Sequence, residues 1–130
     1  MTPFGARIRE MRDERGITLQ DMAAALEVSP AYLSALEHGK RGRPNWFLLQ
    51  RIIAYFNVIW DEAEALQRLA LMSHPRVVVD TSGLSQEATE LANRLAVDIG
   101  RLRGSDIEEL LSRLKTMTGG RRGDGEDLKG

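Results

Sequence analysis

The chain contains no cysteine, only 5% aromatic residues and no large excess of either charge. Without cysteine there is neither a disulfide framework nor a thiol nucleophile, and the chain suits a reducing, cytoplasmic location. No apolar run approaches the length of a bilayer span, and the N-terminus carries no signal-peptide pattern, so no membrane partner is expected. No glycine-rich phosphate loop follows a strand, and the two histidines, His38 and His74, lack metal-ligand spacing with other candidates. Glu108 and Glu109 read as charges at a helix start, not as an acid/base couple. No catalytic residue, metal or cofactor is expected, and the chain is not read as an enzyme. The net charge of −1 is not that of a generally basic nucleic-acid coat. Its distribution says more: residues 1–60 hold eight Lys/Arg against six Asp/Glu, and residues 61–130 hold ten against thirteen.

What is present is organised around residues 18–39, TLQDMAAALEVSPAYLSALEHG. Leu19, Met22, Ala23 and Leu26 recur at i, i+3, i+4 and i+7, the one-sided apolar face of a short helix, with Thr18 placed to cap it. Ser29-Pro30 opens a second helix, because serine accepts a free N–H and proline costs nothing at the first helical position. Leu33 and Leu36 face inward, and Gly39 ends the helix where a left-handed residue is needed. Only Glu27 and Val28 separate the two helices, so they meet at a sharp angle.

On both sides, helical periodicity continues. Residues 4–15 place Phe4, Ile8 and Met11 on one face, Gly16 closes that helix and Ile17 packs inward. Residues 46–56, WFLLQRIIAYF, are too apolar for a surface helix, so Phe47, Leu48, Leu49, Ile52, Ile53 and Phe56 are assigned to the core. Residues 61–72 give a fifth helix with Leu66, Leu69 and Met72 in one stripe. Directly before the second of these segments, at residues 40–45, lies KRGRPN, three cations within four residues, placed to meet phosphates.

Residues 18–39 resemble the helix-turn-helix of the phage-repressor and Xre-like family. Ala23 in the first helix, Val28-Ser29 in the turn and residues 33–39, LSALEHG, carry the likeness, which extends over about residues 8–60. Two steeply crossing helices need a small side chain where their axes come closest, which Ala23 supplies. The resemblance implies a five-helix DNA-binding bundle acting on double-stranded DNA. It also implies a partly buried ion pair between Arg12 and Glu37. Positions matching Pro30, Ala31 and Ala35 commonly carry base-reading side chains in the family, often amides. Here they are small, so base readout falls to Ala31, Tyr32, Ser34, Ala35 and His38, the alanines through thymine methyl groups. Phosphate contacts are assigned to Thr18, Gln20, Ser29, Lys40, Arg41, Arg43, Asn45 and Trp46. Leu19 stands where many relatives place a phosphate-clamping glutamine, and Gln20 points about 100° away from it.

Beyond residue 72 the texture changes. Ser73-His74-Pro75 breaks the helix, and residues 76–80, RVVVD, favour a strand that has no second strand to pair with. Pairing with the same segment of a second subunit, through Val77, Val78 and Val79, is one solution; an extended linker is the other. Residues 84–102 resume as a helix capped by Ser85, with Leu84, Ala88, Leu91, Leu95, Ile99 and Leu102 in a stripe. Ser105 with Glu108 forms a capping box for a last helix, where Ile107, Leu110, Leu111, Leu114 and Met117 recur at helical spacing. Two such stripes want another surface, and Leu91, Leu95, Ile99, Leu110 and Leu114 are assigned to a homodimer interface. Residues 119–130 hold five glycines, many charges and one apolar side chain, a composition that reads as disordered.

The expected protein is all-α: a five-helix helix-turn-helix domain over 1–72, a linker with a short strand over 73–83, a helical dimerisation region over 84–118 and a tail over 119–130. The expected function is a sequence-specific transcriptional regulator, with repression its mode, acting as a homodimer on a pseudo-palindromic operator. Two alternatives share the first half and differ in the second: an antitoxin whose C-terminal helices cover a toxin, and a protein–protein adaptor that binds DNA weakly.

Overall fold

The structure is a computed structural model and describes residues 1–119. Apart from Gly119, the tail expected to be disordered lies outside the described residues. Among the described residues the chain is all-helical, with seven α-helices and one short 3-10 turn. The chain divides after Val78 into two compact units, each taken by itself.

The first unit holds α1 (Pro3–Arg15), α2 (Leu19–Leu26), α3 (Pro30–Glu37), α4 (Trp46–Phe56) and α5 (Trp60–Leu71). Each of the first four begins at a side-chain cap: Thr2 accepts from Gly5 N–H, Thr18 from Asp21, Ser29 from Tyr32 and Asn45 from Leu48. Thr2-Pro3 is the same capping device as Ser29-Pro30, and it starts α1 one residue before the apolar pattern does. At Thr18 the cap is reciprocal, since the Asp21 carboxylate accepts from the Thr18 N–H. Gly16, at φ +65°, ends α1 in the left-handed conformation that only glycine adopts without strain.

One core joins all five helices: Phe4, Ile8 and Met11 from α1; Met22, Ala23 and Leu26 from α2; Leu33 and Leu36 from α3; Leu48, Leu49, Ile52, Ile53 and Phe56 from α4; Leu66 and Ala70 from α5. Helix α1 packs on α3 and α5, α2 on α3 and α4, and α4 on α5. Ser73 is part of this bundle and not of a linker. It is buried, accepts from Phe4 N–H at 2.8 Å and donates to Leu69 O, so it ties the end of α5 to the start of α1.

Two core assignments are corrected. Phe47 is 74% exposed, and Met72, one residue past the end of α5, is exposed as well. In α4 the buried positions 48, 49, 52, 53 and 56 centre on one face, and Phe47 lies roughly 170° from that centre at 100° per residue. It projects to the opposite side.

In the second unit, α6 (Gln86–Asp98) begins at the cap Ser85, whose hydroxyl accepts from Ala88. The single helix expected over 84–102 is instead α6 followed by a 3-10 turn, Ile99–Arg101. Helix α7 (Gly104–Gly119) starts earlier than the expected Ser105–Glu108 box. Its first turn is closed by Asp106, whose carboxylate accepts from Arg103 N–H at 3.0 Å, one half of a capping box set two residues upstream of the expected one. Leu91, Leu95, Ile99, Leu110 and Leu114 are all exposed, and no residue of α6 or α7 is buried. The expected strand is not formed: residues 77–80 have no ladder partner among the described residues, and Val77, Val78 and Val79 are exposed. Asp80 accepts from the Ser82 hydroxyl and the Ser82 N–H, which hold its carboxyl below the usual carboxylate range.

Candidate nucleic-acid interface

The outer surface of α3 follows from its inner one. Leu33 and Leu36 are fully buried, so Ala31 and His38 face solvent while Tyr32, Ser34 and Ala35 are half-buried on the flanks. His38 is the C-cap of α3, about 12 Å along an eight-residue helix from its N-terminal end. Ala31 and His38 therefore sit at opposite ends of the helix.

Helix α3 is held in place from behind by α1. Arg12 and Glu37 are 7% and 4% exposed, and one guanidinium nitrogen, Nη2, donates to both carboxylate oxygens at 3.1 and 3.0 Å. Arg12 Nε has no partner among the described residues. The Glu37 carbonyl meanwhile accepts from Thr2 N–H at 3.1 Å. Gly5 permits this approach: a Cβ there would lie 2.0 Å from Glu37 O. Sequence reasoning missed Gly5 and Thr2. The available signal was a lone glycine inside an otherwise regular helix, which marks a close backbone approach.

In front of α3 lies the basic loop. The Arg41 guanidinium stands over the Tyr32 ring, 5.7 Å from its centroid, which fixes the loop against the N-terminal half of α3. Lys40, Arg41 and Arg43 are exposed. The N-terminal ends of α3 and α4 share a shallow concavity of about 380 Å³ lined by Val28, Ser29, Tyr32, Asn45, Phe47, Leu48 and Arg51. With their oxygens occupied as caps, the Ser29 hydroxyl proton and the Asn45 amide hydrogens remain as donors along its rim. A second groove of about 420 Å³ lies on the other side of Asn45, bounded by Arg43, Trp46, Leu49, Gln67 and Leu71. Trp46 is 66% exposed and meets Phe47 edge-to-face at 5.4 Å between ring centroids.

The structure thus brings together Ser29, Tyr32, Asn45 and, through Tyr32, Arg41. Thr18 and Gln20 are exposed but line neither concavity. Phe47 and Arg51 line the first concavity and were not among the expected site residues; Arg51 makes a loose, exposed ion pair with Glu27 at 3.7 Å. Chemically, the surface offers hydrogen-bond donors and cations around a small apolar centre. Among the described residues, no three potential metal ligands converge and no helix is long and apolar enough to cross a membrane.

Comparison with known proteins agrees with this architecture. The family model described as a helix-turn-helix domain matches residues 3–67, half of the chain. The uncharacterized HTH-type transcriptional regulator RghRB of Bacillus subtilis is 34% identical over 65 residues, 50% of this chain and 47% of that protein. The HTH-type transcriptional repressor RghR of Bacillus subtilis is 43% identical over 61 residues, covering 47% and 45%. DdrOP3 of Deinococcus deserti, an HTH-type transcriptional regulator, is 42% identical over 52 residues, 40% of each chain. The match spans less than half the length of each of these relatives. A chain of the solved SinR protein/SinI protein complex is 24% identical, with a TM-score of 0.42 over 89% of this chain and 98% of that one. The family match reaches from α1 through most of α5 and includes the whole of the α2–α3 motif; this chain belongs to the helix-turn-helix domain family.

Proposed function

We propose that the protein is a DNA-binding transcriptional regulator that represses its targets as a homodimer on a pseudo-palindromic operator. The observation that carries this reading is the joint surface of α3 and the basic loop. A short helix presents its N-terminal end and one flank outward, and Arg41, stacked on Tyr32, places cations beside it. In helix-turn-helix proteins that end of the second helix meets base edges, while flanking cations and helix N-termini hold phosphates. Base readout is assigned to Ala31, Tyr32, Ser34, Ala35 and His38. Ser29, Lys40, Arg41, Arg43, Asn45 and Trp46 take phosphates, with Thr18 and Gln20 on the outer margin. Repression is supported by the relative RghR, an HTH-type transcriptional repressor.

Homodimerisation is assigned to α6 and α7. Their apolar stripes, Leu91, Leu95 and Ile99 on one and Leu110 and Leu114 on the other, are exposed in the single chain. Exposed contiguous apolar surface of this kind marks an interaction site. The Val77–Val79 run, exposed and without a ladder partner among the described residues, adds a segment that a second subunit can pair with. The same exposed stripes favour one other reading, in which they cover a second protein, a toxin among the candidates, while the dimer controls its own operon.

Capture of bound fragments from the host genome, followed by a motif search, tests the proposal. A two-fold symmetric motif with half-sites about one helical turn apart is expected. Enrichment without a motif would remove sequence specificity, and no enrichment at all would refute DNA binding.

A further inference from the structure

We infer that Phe47 is a thymine-reading residue: its ring packs on thymine C5-methyl groups at the edge of the half-site that α3 engages. The inference rests on the DNA-binding reading above and adds a determinant that the helix-turn-helix motif itself does not contain.

Phe47 occupies the second position of α4 and points away from the core stripe of its own helix, with 74% of its surface in solvent. Leaving a phenylalanine in solvent forgoes the stabilisation that its burial would supply. Its surroundings are specific. It lines the same concavity as Ser29 and Tyr32, at the N-terminal end of α3, and Trp46 meets it edge-to-face. Around this apolar centre stand cations: Arg51 on the rim and Arg41 over Tyr32. The partner that fits is therefore a polyanion with apolar groups set between its charges. Duplex DNA has that chemistry in its major groove, where each thymine presents a methyl group between the phosphate strands, and phenylalanine is among the side chains that contact it. The outward positions of α3 strengthen the point. Pro30, Ala31 and Ala35 offer no side-chain hydrogen bonds, so discrimination by apolar contact is what this surface has most of.

The test uses the full chain and random-sequence duplexes, from which the preferred duplex is selected at fixed salt. That duplex is then remade with deoxyuridine replacing one thymine at a time, which removes only the methyl group. Fluorescence anisotropy gives the affinity of wild type, Phe47→Ala and Phe47→Leu. At one or more positions near the end of each half-site, wild type should bind the deoxyuridine duplex about four-fold more weakly, the factor that corresponds to about 0.8 kcal/mol for one buried methyl. Phe47→Ala should show no such difference there, and Phe47→Leu, still apolar, should retain part of it. Undiminished sensitivity to every methyl in Phe47→Ala would overturn the inference, whatever happens to overall affinity. So would preferred half-sites that contain no thymine. A Phe47→Ala protein weakened equally on both duplexes would make the ring a support for Tyr32 or a sugar contact, which also overturns it. Failure of the underlying reading looks different: wild type would show no salt-dependent affinity for any duplex.

Discussion

Breaking the Arg12–Glu37 pair should be among the most damaging single changes in the first unit. Both side chains are more than nine-tenths buried, and Arg12 donates to both carboxylate oxygens at 3.0–3.1 Å while its Nε is already unpaired. The pair as a whole adds little, because desolvating two charges offsets most of their attraction. Removing one member strands the other, at a cost of about 3–5 kcal/mol. A unit the size of Met1–Val78 has a total stability of roughly 4–12 kcal/mol at 0.05–0.15 kcal/mol per residue. Glu37→Ala and Arg12→Ala should therefore each remove about a quarter or more of it. With a urea slope of about 1 kcal/mol per molar, a loss of about 3 kcal/mol lowers the midpoint by about 3 M. The assay is equilibrium urea unfolding followed by helical circular dichroism. Tryptophan fluorescence is a poorer probe, since Trp46 and Trp60 are already largely in solvent when folded. The double variant Arg12→Met/Glu37→Leu should recover wild-type stability or exceed it by about 1–4 kcal/mol, because two apolar side chains of similar volume need no desolvation. Single variants losing less than about 1 kcal/mol would show that the pair behaves as a solvated surface pair. A double variant as unstable as either single would mean that packing, not a stranded charge, is what the site supplies.

Three further outcomes bear on separate parts of the molecule. Gly5→Ala should destabilise the first unit by on the order of 3 kcal/mol in thermal unfolding, because its Cβ would meet the Glu37 carbonyl at 2.0 Å and backbone cannot yield cheaply; a change within error would mean that α1 and α3 can separate freely. Arg41→Ala should weaken binding to all duplexes about equally and reduce the slope of log affinity against log salt by about 0.9. An unchanged slope would remove Arg41 from the phosphate set. Leu95→Asp with Leu110→Asp should turn a dimer into a monomer in analytical ultracentrifugation with helical content kept, since neither side chain is buried in the single chain. A variant that stays dimeric would place the interface elsewhere.

The sequence by itself determined the helices and most of their limits. Period, cap and stop signals act within four residues, so Thr18, Ser29-Pro30 and Gly16 are legible one segment at a time. The α2–α3 motif was legible for the same reason, and the resemblance supplied the Arg12–Glu37 partnership across 25 residues that local patterning alone does not. Where the reading failed, identity was weighed above position. The apolar run of residues 46–56 points to the core for Phe47, although its angular place on α4 puts it opposite the buried stripe. The valine run was assigned a strand on propensity, but a strand needs a partner, and the single chain provides none. The Ser105–Glu108 box competed with Asp106, and geometry at Arg103 settled the choice. Only the tertiary structure decided the remaining features: Gly5 against the Glu37 carbonyl, Ser73 buried between α1 and α5, and Arg41 over Tyr32. Each joins atoms from separate elements, and such meetings depend on how helices cross, which no short window of residues encodes.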